Sequence, residues 1–176
     1  MRRATSAKLL SSIIGIVIVL YVTAPIMFAF SWQLVHGRQV ELKGITLRLD
    51  RGWIVLDDSV TRIPDNLFFG SPEPTSILVT PTPHCITDQS AAVMLNHLRS
   101  SLSPGPAATS TYATIRIGDR QASCVIVVPG NESAQIYTAC ISPERGSVIT
   151  IHDTLKYQPE AVHMLQSAHE TQPCKP

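Results

Sequence analysis

The sequence predicts a mixed α/β (α+β) protein: an N-terminal transmembrane helix, then an antiparallel sheet of about six strands packed with two helices in a sandwich. Three observations carry this. Residues 9–35 form a 27-residue run without a charged side chain. Behind it, short stretches alternate apolar and polar side chains between turn residues, the period of half-buried strands. Two later stretches repeat apolar residues every three to four positions, the period of helices packed on one side.

The run comes first in the chain. A helix rising ~1.5 Å per residue needs about 20 apolar residues to cross a ~30 Å hydrocarbon core. Residues 9–32 offer 24, which predicts a span there, with Trp32 at the depth of an interfacial aromatic anchor and Pro25 as a kink. Arg2, Arg3 and Lys8 precede the run, while His36 and Arg38 are the first ionisable groups after it. The positive-inside rule then keeps residues 1–8 as a cytoplasmic tail and exports the rest, periplasmic or extracellular. A cleaved signal peptide is the alternative, but its apolar region runs only ~7–15 residues. Ala7, Ser11 and Gly15 recur every four residues and share one face. Such residues are tolerated in any membrane helix, which is the simpler reading; the alternative is that they let two helices approach and form a homodimer through this face.

Residues 33–39 read as a juxtamembrane linker and 40–172 as one exported α/β domain, followed by a tail at 173–176. Residues 39–43 and 45–49 alternate as strands divided by Gly44, and Asp50-Arg-Gly52 turns the chain into a strand at 53–56. Residues 57–74 hold four acidic residues, three prolines and the apolar patch Leu67, Phe68, Phe69. They read as a loop over the core with a short strand near 66–70. Another strand follows at 76–80. Thr87 or Asp88 caps a helix to about residue 102, whose apolar face is Ala91, Met94, Leu95, Leu98 and Leu102. Strands at 111–117, 121–128, 134–141 and 147–151 form a meander, and Pro159 opens a final helix to about residue 169. Residues 125–128 are apolar on both faces, which predicts a central strand.

All four cysteines lie in the exported part, where an even count reads as disulfides. In a hairpin centred near residue 132, Cys124 and Cys140 stand opposite each other, at the separation a disulfide requires. Cys85 and Cys174 are then left to pair. No Cys-x-x-Cys or zinc-module spacing offers a metal reading, and no cofactor is expected.

The stretch Gly44-Ile-Thr-Leu-Arg-Leu-Asp-Arg-Gly-Trp53, the mid-chain helix, the turn Ile117-Gly-Asp-Arg-Gln-Ala122 and the closing Glu160-Ala-Val-His-Met-Leu-Gln-Ser167 carry a resemblance. Across residues 40–169 the layout resembles the PsbP-like superfamily, which includes bacterial lipoproteins of the DcrB type. Asp50 departs from the proline usual in that group's Gly-Trp turn. The resemblance implies an α/β/α sandwich and an accessory or partner-binding role, with no shared catalytic set to carry over.

The chemistry-bearing residues form no recognisable constellation. Lys plus Arg (14) nearly balance Asp plus Glu (13), and aromatic residues make up 6%. That leaves neither a basic stripe nor a stacking platform for nucleic acid. His163 and His169 lie six residues apart on a predicted helix, on opposite sides. Ser123, His152 and Asp153 would make a triad only by coincidence, since no nucleophile elbow supports them. Adjacent Asp57 and Asp58 suit a solvated turn. Asn131-Glu-Ser133 fits a glycosylation sequon on a hairpin loop. Trp53 is most simply a core anchor, and otherwise lines a ligand groove with Leu67, Phe68 and Phe69.

The expected role is a non-enzymatic, membrane-tethered extracytoplasmic module whose partners are the bilayer and an envelope or membrane protein. A small-molecule or lipid-binding domain with residues 57–74 as a lid is the alternative, and an envelope hydrolase ranks third.

Overall fold

The computed structural model describes residues 2–63, 75–102, 108–128, 135–154, 157–171 and 174, with the side chains at 2–11, 22 and 154 outside the description. Within these residues lie three helices, a three-stranded sheet and a seven-stranded sheet. Helix α1 is Arg2–His36, α2 is Asp88–Leu102 and α3 is Gln158–Gln166. The strands are β1 Gln39–Leu42, β2 Ile45–Arg48, β3 Trp53–Leu56, β4 Ser59–Arg62, β5 Ser76–Pro81, β6 Thr109–Ile117, β7 Arg120–Val128, β8 Gln135–Ile141, β9 Ser147–Thr154 and β10 His169–Glu170.

No single helix is long and apolar enough to cross a membrane among the described residues. Ser12–Tyr21 and Thr23–His36, bent by 46° to each other, pass the length and composition test together. Two local causes account for the bend. Pro25 lacks the N–H that would bond the Tyr21 carbonyl. The Thr23 hydroxyl also donates back to Val19 O at 2.8 Å, a bond that bends helices.

The helix does not stop where a linker was expected. It runs to His36 and ends at Gly37, whose φ of +81° forms the left-handed cap and whose N–H bonds Gln33 O at 2.9 Å. The reason is tertiary. The Gln33 amide donates to Asp50 O and Trp53 O, both at 2.8 Å, and Ala29 packs on Ile54 and Ile63. The last turns of α1 are thus part of the domain, and Trp32 packs against its core rather than standing free as an anchor.

The seven strands run β3-β4-β5-β9-β8-β7-β6, every pair antiparallel. One sheet of about six strands was expected. The difference lies partly in β4, which folds back from β3 through Asp57 and Asp58 at φ +43° and +64°, a two-residue hairpin turn. It lies partly in β1-β2-β10, a separate antiparallel sheet, in which His169 and Glu170 pair with Thr46 and Ile45 instead of ending α3. Strand β7 is second from the edge and β9 is central, so the expected position of residues 125–128 is corrected. Val125 and Val127 owe their burial to α2.

The register defines two faces, because residues opposite each other in a ladder share one. The row Ile54, Thr61, Ser76, His152, Tyr137, Val127 faces α2 at one end and the last turns of α1 at the other. Ile77, Val79, Ile149 and Ile151 face the opposite way, onto α3 and the three-stranded sheet. Together with Ile45, Leu47 and Leu49 they fill the main core. The molecule is therefore layered as helix, sheet, then helix with a small sheet.

Candidate functional site

Helix α2 starts cleanly. The Ser90 N–H donates to Thr87 Oγ1 at 3.1 Å, and Asp88 in the first turn pairs with Arg145. Its one buried residue, Leu95, sits over β7 and β8 with Ala91, Met94, Leu98 and Leu102 packed alongside. Because α2 covers those two strands, the same face of β9 and β5 stays partly open. The result is a cleft of about 850 Å³. Its floor is Thr80, Val148 and Thr150, and its walls are Val93, Met94, His97 and Leu98 of α2 and the Pro81–Pro83 segment. Val93 is 66% exposed, a large apolar side chain turned to the opening. No lining residue is Asp, Glu, Lys or Arg. The lining is chiefly apolar, with the hydroxyls of Thr80, Thr82 and Thr150 among it, while those of Thr87 and Ser90 bond each other in the α2 cap.

A second cavity, about 700 Å³, lies on the other side of Pro81–Pro83, and Thr82 lines both. It is polar, bounded by Lys43, Ser147, Glu170, Thr171 and Cys174. Glu170 accepts the Glu144 N–H with both oxygens, at 3.2 and 3.3 Å. Burial pushes its carboxyl above the ordinary carboxylate value, and the nearby Glu144 charge adds to this, while the Glu144 N–H, Ser142 and Arg120 pull the other way.

The raised carboxyl has a pH consequence. The folded chain holds this proton to higher pH than the unfolded one, so stability falls as pH rises from 4.5 through the folded value. Glu170→Gln keeps an acceptor for the Glu144 N–H without the charge. It is expected to flatten that part of the pH profile and to unfold in urea no earlier than the native chain at neutral pH. Parallel profiles for the two proteins would contradict this origin.

The remaining expected site residues fall as follows. Both disulfides are present, Cys85–Cys174 and Cys124–Cys140. Cys124 stands opposite Cys140 in the β7–β8 ladder. Trp53 is 0% exposed and its indole N–H donates to Glu160 at 2.9 Å, so it lines no groove. Leu67, Phe68, Phe69 and Asn131 lie outside the described residues, as do the side chains of Ala7 and Ser11. A Cβ at Gly15 would meet nothing within 4 Å. His152 stacks on Tyr137 at 4.6 Å, whereas Asp153 points to the opposite face and takes the Thr75 hydroxyl at 3.0 Å. Ser123 lies beyond Cys124, toward the other end of the ladder, so no triad is assembled. His163 bonds Asp50 at 3.0 Å, away from His169 on β10. No group of three metal-ligating side chains occurs among the described residues. The α2 cleft escaped the sequence reading. Its one local trace is Val93, an apolar residue outside the buried stripe of α2.

Comparison with known proteins adds little. No family model matches the chain, and no curated protein matches it. Solved structures do match. One is the solution structure of cyanobacterial PsbP from Synechocystis sp. PCC 6803, which is 13% identical over 72% of this chain and 86% of that chain, with a TM-score of 0.41. A likeness at that level assigns no activity.

Proposed function

We propose that this chain is a non-enzymatic, membrane-tethered extracytoplasmic binding module, and that the α2–β9 cleft receives an apolar segment of an envelope or membrane protein. The observation that carries this is the cleft itself, a groove of about 850 Å³ lined without Asp, Glu, Lys or Arg and with Val93 exposed at its mouth. The tether rests on α1, whose Ile13, Ile14, Ile16, Val17, Ile18, Val19 and Leu20 are all at least half exposed and belong to no core cluster of the domain. Two disulfides support an oxidising compartment outside the cytoplasm.

A photo-crosslinking residue at Val93 in the full chain tests the proposal in native membranes. One stoichiometric partner is expected, crosslinked from Val93 and not from Arg99, whose guanidinium lies over the Tyr112 ring on the β6 side of α2. Val93→Asp, with the probe moved to Met94, is expected to reduce its capture at least tenfold. Equal crosslinking from Val93 and Arg99, or none from either, would sink the protein-partner reading.

The second reading keeps the same cleft and changes the ligand. Its volume lies within the ~300–1,000 Å³ of small-molecule sites. An apolar compound released from the purified chain, and absent from Val93→Asp, would favour that reading.

A further inference from the structure

We infer that β6, a free edge of the seven-stranded sheet, is the surface through which two copies of this chain pair, antiparallel about a two-fold axis at Ala113. The strand runs nine residues, Thr109–Ile117, and lies last in the sheet order. On its inner side every residue stands opposite one of β7, from Thr109–Val128 to Ile117–Arg120. Gly118, at φ +60°, and Asp119 close this hairpin as a two-residue turn, which makes Ile117 and Arg120 a hydrogen-bonded pair. Alternation then turns the backbone groups of Ile115, Ala113, Thr111 and Thr109 toward β7 as well. The spacing of Cys124 and Cys140 agrees. Their Cα atoms are 4.0 Å apart, as in a non-hydrogen-bonded pair, so the Cys124 backbone bonds Ala113 instead.

The other four residues, Ser110, Tyr112, Thr114 and Arg116, therefore turn their N–H and C=O groups out of the sheet. None of these eight groups is hydrogen-bonded among the described residues, and all four residues are exposed. Free edges are ordinarily blunted by proline, lysine or a bulge. Strand β6 has no proline or lysine, and its register is unbroken. Its one charged side chain, Arg116, donates Nε to Gly118 O at 3.0 Å, back along its own chain.

Such a row fits an extended main chain, and β6 is its own complement. About an axis at Ala113, Tyr112 stands opposite Thr114 of the second copy and Ser110 opposite its Arg116. These pairs and their symmetry mates bond all eight free groups of each strand. An axis at Tyr112 or Thr114 would leave Arg116 or Ser110 with no strand residue opposite. Like charges stay apart, because the two Arg116 side chains fall six residues, ~20 Å, from each other along the ladder. Ala113 meets its mate on the axis as a non-hydrogen-bonded pair, where strands approach most closely.

The covering layers leave room. Helix α2 sits over Val125, Val127, Ala139 and Ile141 of β7 and β8, and touches β6 through Asn96 and Arg99 at Tyr112. The two α2 helices then stand about four strand spacings, ~19 Å, apart, against a helix diameter of ~10–12 Å. On the other face α3 is tied to the turn end of β6, where the Gly118 N–H bonds Leu165 O at 2.9 Å. Antiparallel pairing sets each such end beside the exposed Thr109 end of the other copy. Helix α1 packs on β3 at the far edge, and no residue of β6 lines the α2–β9 cleft, so pairing leaves both clefts open.

The test uses the full chain in mild detergent. Light scattering is expected to show a concentration-dependent dimer. A113C is expected to oxidise to a covalent dimer, since the two positions meet on the axis. T111C alone is not, its two copies lying ~14 Å apart along the ladder, whereas T111C/I115C is, because those positions stand opposite. T114P removes one outward N–H, hence two bonds of the symmetric pair, and takes none from the β7 ladder. It is expected to raise the dissociation constant about tenfold or more. A113R sets two like charges opposite each other and is expected to do the same without touching the backbone. Gly15→Leu, whose added Cβ meets nothing within 4 Å, is expected to dimerise as native. A monomeric native chain, a dimer lost in Gly15→Leu and kept in A113R, or T111C crosslinking as strongly as A113C overturns the pairing. A monomeric chain that binds an alternating threonine–valine peptide, and loses it in T114P, gives the edge to a foreign strand and overturns the second copy as occupant.

Discussion

Replacing Trp53 with alanine is expected to lower stability by about 3–5 kcal/mol, the range for emptying a buried tryptophan site. Trp53 is 0% exposed and is the largest fully buried side chain among the described residues. It lies where three parts of the molecule meet. Its carbonyl holds Gln33 of α1 at 2.8 Å, its indole N–H holds Glu160 of α3 at 2.9 Å, and its ring lies in the main core with Leu49, Val60 and Met164. Trp53→Phe separates the contributions. It keeps most of the apolar volume but removes the bond to Glu160, which retains Arg62 at 3.3 Å. That variant is expected to lose about 1–2 kcal/mol, since the partner is charged but partly solvated. Urea unfolding of the full chain in mild detergent measures both. A cost below about 1 kcal/mol for Trp53→Ala would mean the site collapses around the gap and Trp53 is no anchor.

The arrangement around Trp53 also shows where local sequence patterns stop being informative. Alternation located most strands, and three-to-four spacing located the buried side of α2, because both periods are imposed by a single covering layer. The Cys124–Cys140 pairing was legible for the same reason, as strand alternation and a short loop place opposed residues by arithmetic. Strand β4 was not legible. Asp57-Asp58 is a poor advertisement for a tight hairpin turn, which asparagine–glycine or aspartate–glycine announces far more clearly. Nor was β10, two residues whose pairing with β2 depends on a partner more than a hundred positions away. The docking of α1 had a trace that the apolar run concealed. Pro25, Ala29 and Gln33, all buried, recur every four residues on one side of the helix, and a lone amide in such a run needs partners. The cleft left almost none. It exists because α2 is offset toward β7 and β8, and because β5 lies beside β9, an adjacency created by a long crossover rather than a local motif.

Removing the Cys85–Cys174 disulfide, as C85S/C174S, is expected to cost about 4–5 kcal/mol through the unfolded chain. The bridge spans 89 residues, enclosing α2, β6 to β9, α3 and β10, whereas Cys124–Cys140 spans 16. In the chain-entropy model the shorter loop contributes about 3 kcal/mol, so the longer bridge restricts the denatured ensemble more. Packing reverses the order. Cys124 and Cys140 are buried in the main core, while Cys85 and Cys174 are only partly buried, so serine at the latter pair leaves no hydroxyl stranded. Stability alone therefore does not separate the two mechanisms, but the urea dependence does. A chain freed from an 89-residue loop expands on unfolding and exposes more surface, which raises the slope of stability against urea. C85S/C174S is expected to show both a lower midpoint and a steeper slope than the native chain. The folded tail itself stays in place, because β10 still pairs with β2 and the Thr171 N–H still bonds Gly44 O at 2.8 Å. A lower midpoint with an unchanged slope would put the contribution in the native state, with Cys174 acting through its contacts beside Gly146 rather than through the chain it closes.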